Sequence, residues 1–83
     1  MNELSKLRWR CRRGMKELDD VLLHYLDEVY PGATEQQQAA FRRLLDYEEP
    51  DLLAFITRRG SPADKEVAHV VDTVCTSYLS ARS

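Results

Sequence analysis

The sequence predicts an all-α fold, a small five-helix bundle forming one domain over residues 1–83. Three observations carry that prediction. Eighty-three residues leave room for one thin core only. Apolar residues recur at three- and four-residue spacing, and no segment sustains strand alternation. The three prolines and three glycines fall at a few clear break points between those segments. With 43% hydrophobic and 31% charged residues, the composition is that of a folded domain rather than a disordered chain.

The first helix is expected from Asn2 to Arg12, with Leu4, Leu7 and Cys11 as its buried stripe and Gly14 closing it in a left-handed conformation. The second runs from Met15 to Val29. Met15, Leu18, Leu22, Tyr25, Leu26 and Val29 line its inner face, and Glu17, Asp19 and Asp20 suit the positive end of its dipole. Tyr30-Pro31-Gly32 then turns the chain. Thr34, with Gln37 three residues on, has the spacing of a capping box and starts a third helix carrying Ala40, Phe41, Leu44 and Leu45 inward. Glu48-Glu49-Pro50 interrupts it. Pro50 fits the first position of a fourth helix, which buries Leu52, Phe55 and Ile56 and ends at Gly60. Ser61 as N-cap, Pro62 and Asp64 open a fifth helix, along which Val67, Val70, Val71, Val74, Tyr78 and Leu79 recur before a tail frayed from about residue 80, Ala81-Arg82-Ser83.

A domain this small has no spare residues with which to enclose a large cofactor, so function is expected on its outside. The net charge of -2 and pI near 5.6 argue against a general nucleic-acid binder. The charge is unevenly spread, however. Lys6, Arg8, Arg10, Arg12, Arg13 and Lys16 are six of the 12 basic residues, and Glu3 is the only acid among the first sixteen positions. Such a basic end steers an acidic partner.

Catalytic and metal chemistry find no support. Cys11 and Cys75 form no CxxC pair and are expected as small buried hydrophobes in a reducing compartment. His24 lies near Glu28 and His69 near Asp72, each without a third ligand, so no metal site is expected. There is no glycine-rich phosphate loop and no GxSxG elbow, and the adjacent carboxylates Asp19-Asp20 and Glu48-Glu49 splay apart on a helix. An enzyme is not expected. No run of apolar residues is long enough to span a membrane, and no secretory signal is evident, so the chain is read as cytoplasmic without membrane insertion.

The basic end also carries the only Trp. Trp9 lies about 140–200° around the helix from Leu4, Leu7 and Cys11. That direction is shared with Lys6, Arg10 and, if the helix reaches it, Arg13. Two arrangements stay open: an exposed indole among guanidiniums, of the kind found at interface hot spots, or a Trp folded back over the core edge. Arg13-Gly14-Met15-Lys16-Glu17 is likewise either a plain helix–turn–helix corner, with Arg13 pairing locally to Glu17, or a docking point where a Cβ-free residue admits another protein's backbone between two charges.

The run Trp9-Arg10-Cys11-Arg12-Arg13-Gly14-Met15-Lys16-Glu17-Leu18-Asp19 resembles the signature of the succinate dehydrogenase assembly factors, also called flavinylation factors, with its R-G-x-x-E core at Arg13, Gly14 and Glu17. A second block, Glu49-Pro50-Asp51-Leu52-Leu53-Ala54-Phe55 followed by Gly60-Ser61-Pro62-Ala63-Asp64, is similar to that family's acidic-Pro-Asp-Leu helix and Gly-x-Pro-x-Asp corner. The resemblance covers roughly Leu7 to Leu79. The family often has Trp in the fourth helix, where this chain has Phe55.

The resemblance implies a five-helix protein that binds the flavoprotein subunit of succinate dehydrogenase, and of fumarate reductase, and promotes covalent attachment of FAD to one of its histidines. Arg13, Gly14 and Glu17 then form the contact core, flanked by Trp9, Arg12 and Asp19. FAD is the partner's cofactor, not one held stably by this chain, which is expected to be a monomer when free. Mitochondrial members carry a presequence, so the chain is expected to be a bacterial member. Two rivals remain: an antitoxin-like or regulatory interaction module using the same basic face, and a nucleic-acid-binding domain placing Arg8, Arg10, Arg12 and Arg13 on phosphates.

Overall fold

The computed structural model describes residues 2–82, and among these the regular elements are all helical. In chain order they are α1 (Glu3–Cys11), α2 (Lys16–Glu28), a 3-10 turn (Tyr30–Gly32), α3 (Glu35–Leu44), α4 (Glu49–Ile56) and α5 (Lys65–Arg82). The Cα radius of gyration of 11.6 Å matches the about 12 Å expected of one folded unit of this length. The five-helix bundle therefore stands.

The start signals work through side chains. Asn2 caps α1, its Oδ1 accepting from Ser5 N–H at 2.8 Å. Thr34 and Gln37 form the expected reciprocal box, both bonds at 3.1 Å. Glu48 precedes α4, which places Glu49 first and Pro50 second, one position later than predicted. The missing proline N–H still falls where helices have unpaired donors.

The α4–α5 connection departs further from expectation. α4 ends at Ile56, not near Gly60. Arg58 takes the left-handed conformation (φ 63°), while Arg58 N–H donates to Phe55 O and Arg59 N–H to Ala54 O. That is the Schellman bond pair, and its two satisfied carbonyls, with the Arg58–Asp72 ion pair, offset the strain of a non-glycine residue there. α5 begins three residues beyond the predicted Pro62, because Asp64 rather than Ser61 caps it. Asp64 Oδ1 accepts from Glu66 and Val67 N–H at 2.9 and 3.2 Å, and Oδ2 from Arg43 Nε–H at 3.0 Å. The Val67 amide, with Arg43 beside it, holds the Asp64 carboxyl below the usual range. α5 continues through Arg82, so the tail expected to fray is helical as far as that residue; Ser83 lies outside the described residues.

α5 and α2 form the centre, with α1, α3 and α4 packed around them. Leu18, Leu22, Tyr25, Leu26, Phe41, Leu44, Leu52, Val67, Val70 and Val74 are buried at their junction, and Tyr25 stacks on Phe41 with centroids 4.6 Å apart. Three predicted core positions face outward instead. Leu4, Met15 and Leu79 are exposed, each near a helix end where no neighbouring element covers the stripe. Tyr30, which the turn motif concealed, is buried against Phe41 with its hydroxyl donating to Glu3 and accepting from Arg42. Cys11 is fully buried, and burial pushes its thiol up to about 12, so it is protonated and inert at neutral pH. Cys75 is only partly buried.

Candidate functional site

The basic end is less cationic than its sequence. Arg8 pairs with Asp27 of α2, Arg10 with Asp46 beyond α3, and Arg13 with Glu49 of α4. Lys6, Arg12 and Lys16 are the bases of this stretch that make no ion pair among the described residues.

Trp9 is out. Its side chain is 65% exposed, and the Arg12 guanidinium lies 6.0 Å from the ring centroid, within cation–π range. Its neighbours are Ser5, Arg8 and Arg12, which line a shallow depression beside the indole. Of the bases expected on that side, Arg10 and Arg13 turn away from it. Arg10 reaches to α3 and its exit, and α1 ends at Cys11, before it can carry Arg13 around the same face.

The Arg13–Glu17 corner is built by long-range bonds. Arg13 is not paired to Glu17. Its side chain is 14% exposed and uses four of its five N–H donors internally: Nε to Glu49 Oε1 at 2.8 Å, Nη1 to the carbonyls of Arg10 (3.1 Å) and Leu45 (2.9 Å), and Nη2 to Tyr47 O at 2.7 Å. Leu45 is the C-cap of α3 and Glu49 the first residue of α4, so the cation sits at the negative end of one helix, and its counter-ion at the positive end of the next. Asp19 is also spent locally. Its carboxylate accepts from Arg13 N–H at 2.8 Å and Gly14 N–H at 3.3 Å, tying the corner to α2.

Between these anchors Gly14 adopts φ +85°, in the left-handed region as expected, but in the connecting turn rather than at the helix cap. A Cβ there would meet nothing within 4 Å. Gly14, Met15, Lys16 and Glu17 are exposed. The structure thus brings the six predicted residues to one end of the bundle but divides them. Trp9, Arg12, Gly14 and Glu17 face water, while Arg13 and Asp19 hold the corner from within. Sequence reasoning missed Glu49 as the partner of Arg13; the fixed separation of the two blocks was the signal available.

Two concavities on the bundle are open grooves. One of about 460 Å³ lies between α3 and α5, lined by Thr34, Gln37, Ala40, Lys65, His69 and Val70. Another, of about 450 Å³, lies between α2, α4 and α5 and is bounded at one end by Lys16 and Glu17. Gly14, Gly32 and Gly60 sit at separate corners and form no glycine-rich loop. Among the described residues no group of His, Cys, Asp and Glu is placed to hold a metal and no helix is long and apolar enough to cross a membrane.

Fold and site define a small helical protein with Trp9, Arg12 and Glu17 facing outward at one corner. The model of a family described as flavinator of succinate dehydrogenase matches residues 5–77, and the chain belongs to that family. It is similar to proteins named FAD assembly factor SdhE: 44% identical to that of Pseudomonas aeruginosa over 83% of this chain and 82% of the relative. The corresponding protein of Idiomarina loihiensis is 38% identical over 86% and 79%, and that of Aliivibrio fischeri 37% identical over 94% and 91%.

Proposed function

We propose that the chain is an assembly factor that binds the flavoprotein subunit of succinate dehydrogenase, and of fumarate reductase, and promotes covalent attachment of FAD to a histidine of that subunit. The observation that carries this is the outward corner of Trp9, Arg12, Gly14 and Glu17 on a chain belonging to a flavinator family. Gly14 admits the partner's backbone, because the space above it is open. Glu17 meets a base on the partner, and the Trp9–Arg12 pair supplies an aromatic and cationic flank. Arg13 and Asp19 complete the contact core by fixing its shape.

Flavinylation requires FAD and the acceptor histidine to meet in a near-attack arrangement. A factor that binds this arrangement of the subunit better than others raises its population without supplying a catalytic group. FAD remains the partner's cofactor. The factor works in the cytoplasm, as a monomer when free. In cells lacking the gene, in-gel flavin fluorescence of the succinate dehydrogenase subunit is expected to fall several-fold while subunit abundance is maintained. Unchanged covalent flavin would overturn the proposal.

A further inference from the structure

We propose that Glu49 is a positioning residue for the α1–α2 corner, acting through Arg13 to set how Gly14 and Glu17 are presented to a flavoprotein. The inference rests on the docking role given above to that corner. Glu49 lies 36 positions from Arg13 in sequence, on a different helix, and supplies the one carboxylate ion-paired to its guanidinium among the described residues.

The division of labour around Arg13 explains why that carboxylate matters. The carbonyls of Arg10, Leu45 and Tyr47 engage the two terminal nitrogens and contribute dipoles but no charge. They hold the planar group at two of its three nitrogens. The Nε–H bond to Glu49 engages the third and brings the negative charge to a cation that is 14% exposed, where water compensates little for the loss of a counter-ion. Movement of the Arg13 side chain passes directly to the corner. Its own backbone N–H and that of Gly14 share the Asp19 carboxylate, two residues along α2 from Glu17. A continuous set of bonded groups therefore runs from Glu49 through Arg13 and Asp19 to the exposed face. The two sequence blocks, R-G-x-x-E and acidic-Pro-Asp-Leu, meet physically at this ion pair.

The test is a double-mutant cycle on affinity for the purified apo flavoprotein subunit of succinate dehydrogenase, using the full chain. Glu17→Ala removes a contact and Glu49→Ala removes its support, and each is expected to weaken binding by about tenfold. The double variant is expected to bind no worse than about thirtyfold below wild type, short of the hundredfold of independent effects, because a misplaced Glu17 has little left to lose. Glu49→Gln, which keeps an acceptor but not the charge, recovers only part of the affinity. Should Glu49→Ala fail to fold, Glu49→Asp takes its place in the cycle: it keeps the charge but withdraws the oxygen, and the same weakening is expected. A loss for Glu17→Ala with wild-type affinity for the Glu49 variant, or full additivity, overturns the positioning role alone. Unchanged affinity for Glu17→Ala sinks the docking role, and the positioning role with it.

Discussion

Gly14→Arg is expected to give a folded, helical protein that no longer retains the flavoprotein subunit. Residue 14 belongs to none of the five helices, so the far-ultraviolet CD spectrum should be nearly unchanged. A Cβ at this position meets nothing within 4 Å, so the new side chain leaves the backbone without crowding. The cost to the free protein is therefore backbone strain at φ +85°, about 1–2 kcal/mol. For a domain of this size that lowers Tm by roughly 5–15 °C. The cost to the complex is larger, because a long cationic chain fills the gap through which a partner backbone must approach. Affinity is expected to fall about a hundredfold, roughly 3 kcal/mol. Gly14→Ala carries similar backbone strain with a small side chain and should lose far less affinity. A Gly14→Arg protein that binds normally, or one that does not fold, contradicts the docking account.

The second large effect is on stability. Arg13→Ala removes four hydrogen bonds, one of them the ion pair to Glu49, leaves Glu49 without its counter-ion, and frees the carbonyls of Leu45 and Tyr47 at the α3–α4 connection. The expected loss is about 2–4 kcal/mol. An 83-residue domain has a total stability of only about 4–12 kcal/mol, so this is a substantial share. Chemical denaturation should show it as a lower midpoint with little change in slope. Arg13→Lys should recover only part of the loss, since an ammonium cannot reproduce the planar fork. Arg10→Ala is the matched control. Its pair with Asp46 is exposed, and its removal should cost no more than about 1 kcal/mol. Equal effects of Arg10→Ala and Arg13→Ala would mean that Arg13 is not the brace described.

The parts of the fold legible in the sequence were those fixed by neighbours along the chain. Thr34 and Gln37 satisfy each other within one turn, and the Val67-Val70-Val71-Val74 stripe needs only helical period to be read as core. What escaped was set from a distance. Leu4, Met15 and Leu79 fall on apolar stripes, but whether a stripe is covered depends on how far the next helix extends. Arg58 ends α4 although Gly60 has the better intrinsic preference, because the Schellman bonds and Asp72 decide the matter. The same limit applied at the corner. Local spacing offers Glu17 to Arg13, whereas the fold offers Glu49 and three carbonyls. Trp9 was readable in direction from helix rotation, but only the structure shows the ring uncovered, with Arg12 over it.

The central claim is that the α1–α2 corner is the surface a flavoprotein meets. Backbone hydrogen exchange of the factor, followed with and without saturating apo flavoprotein subunit, tests it most directly. Amides from Trp9 through Asp19 should slow on binding, while those lining the α3–α5 groove, at residues 34–40 and 65–70, should exchange as in the free protein. Slowing confined to that groove, with the corner unaffected, would contradict it.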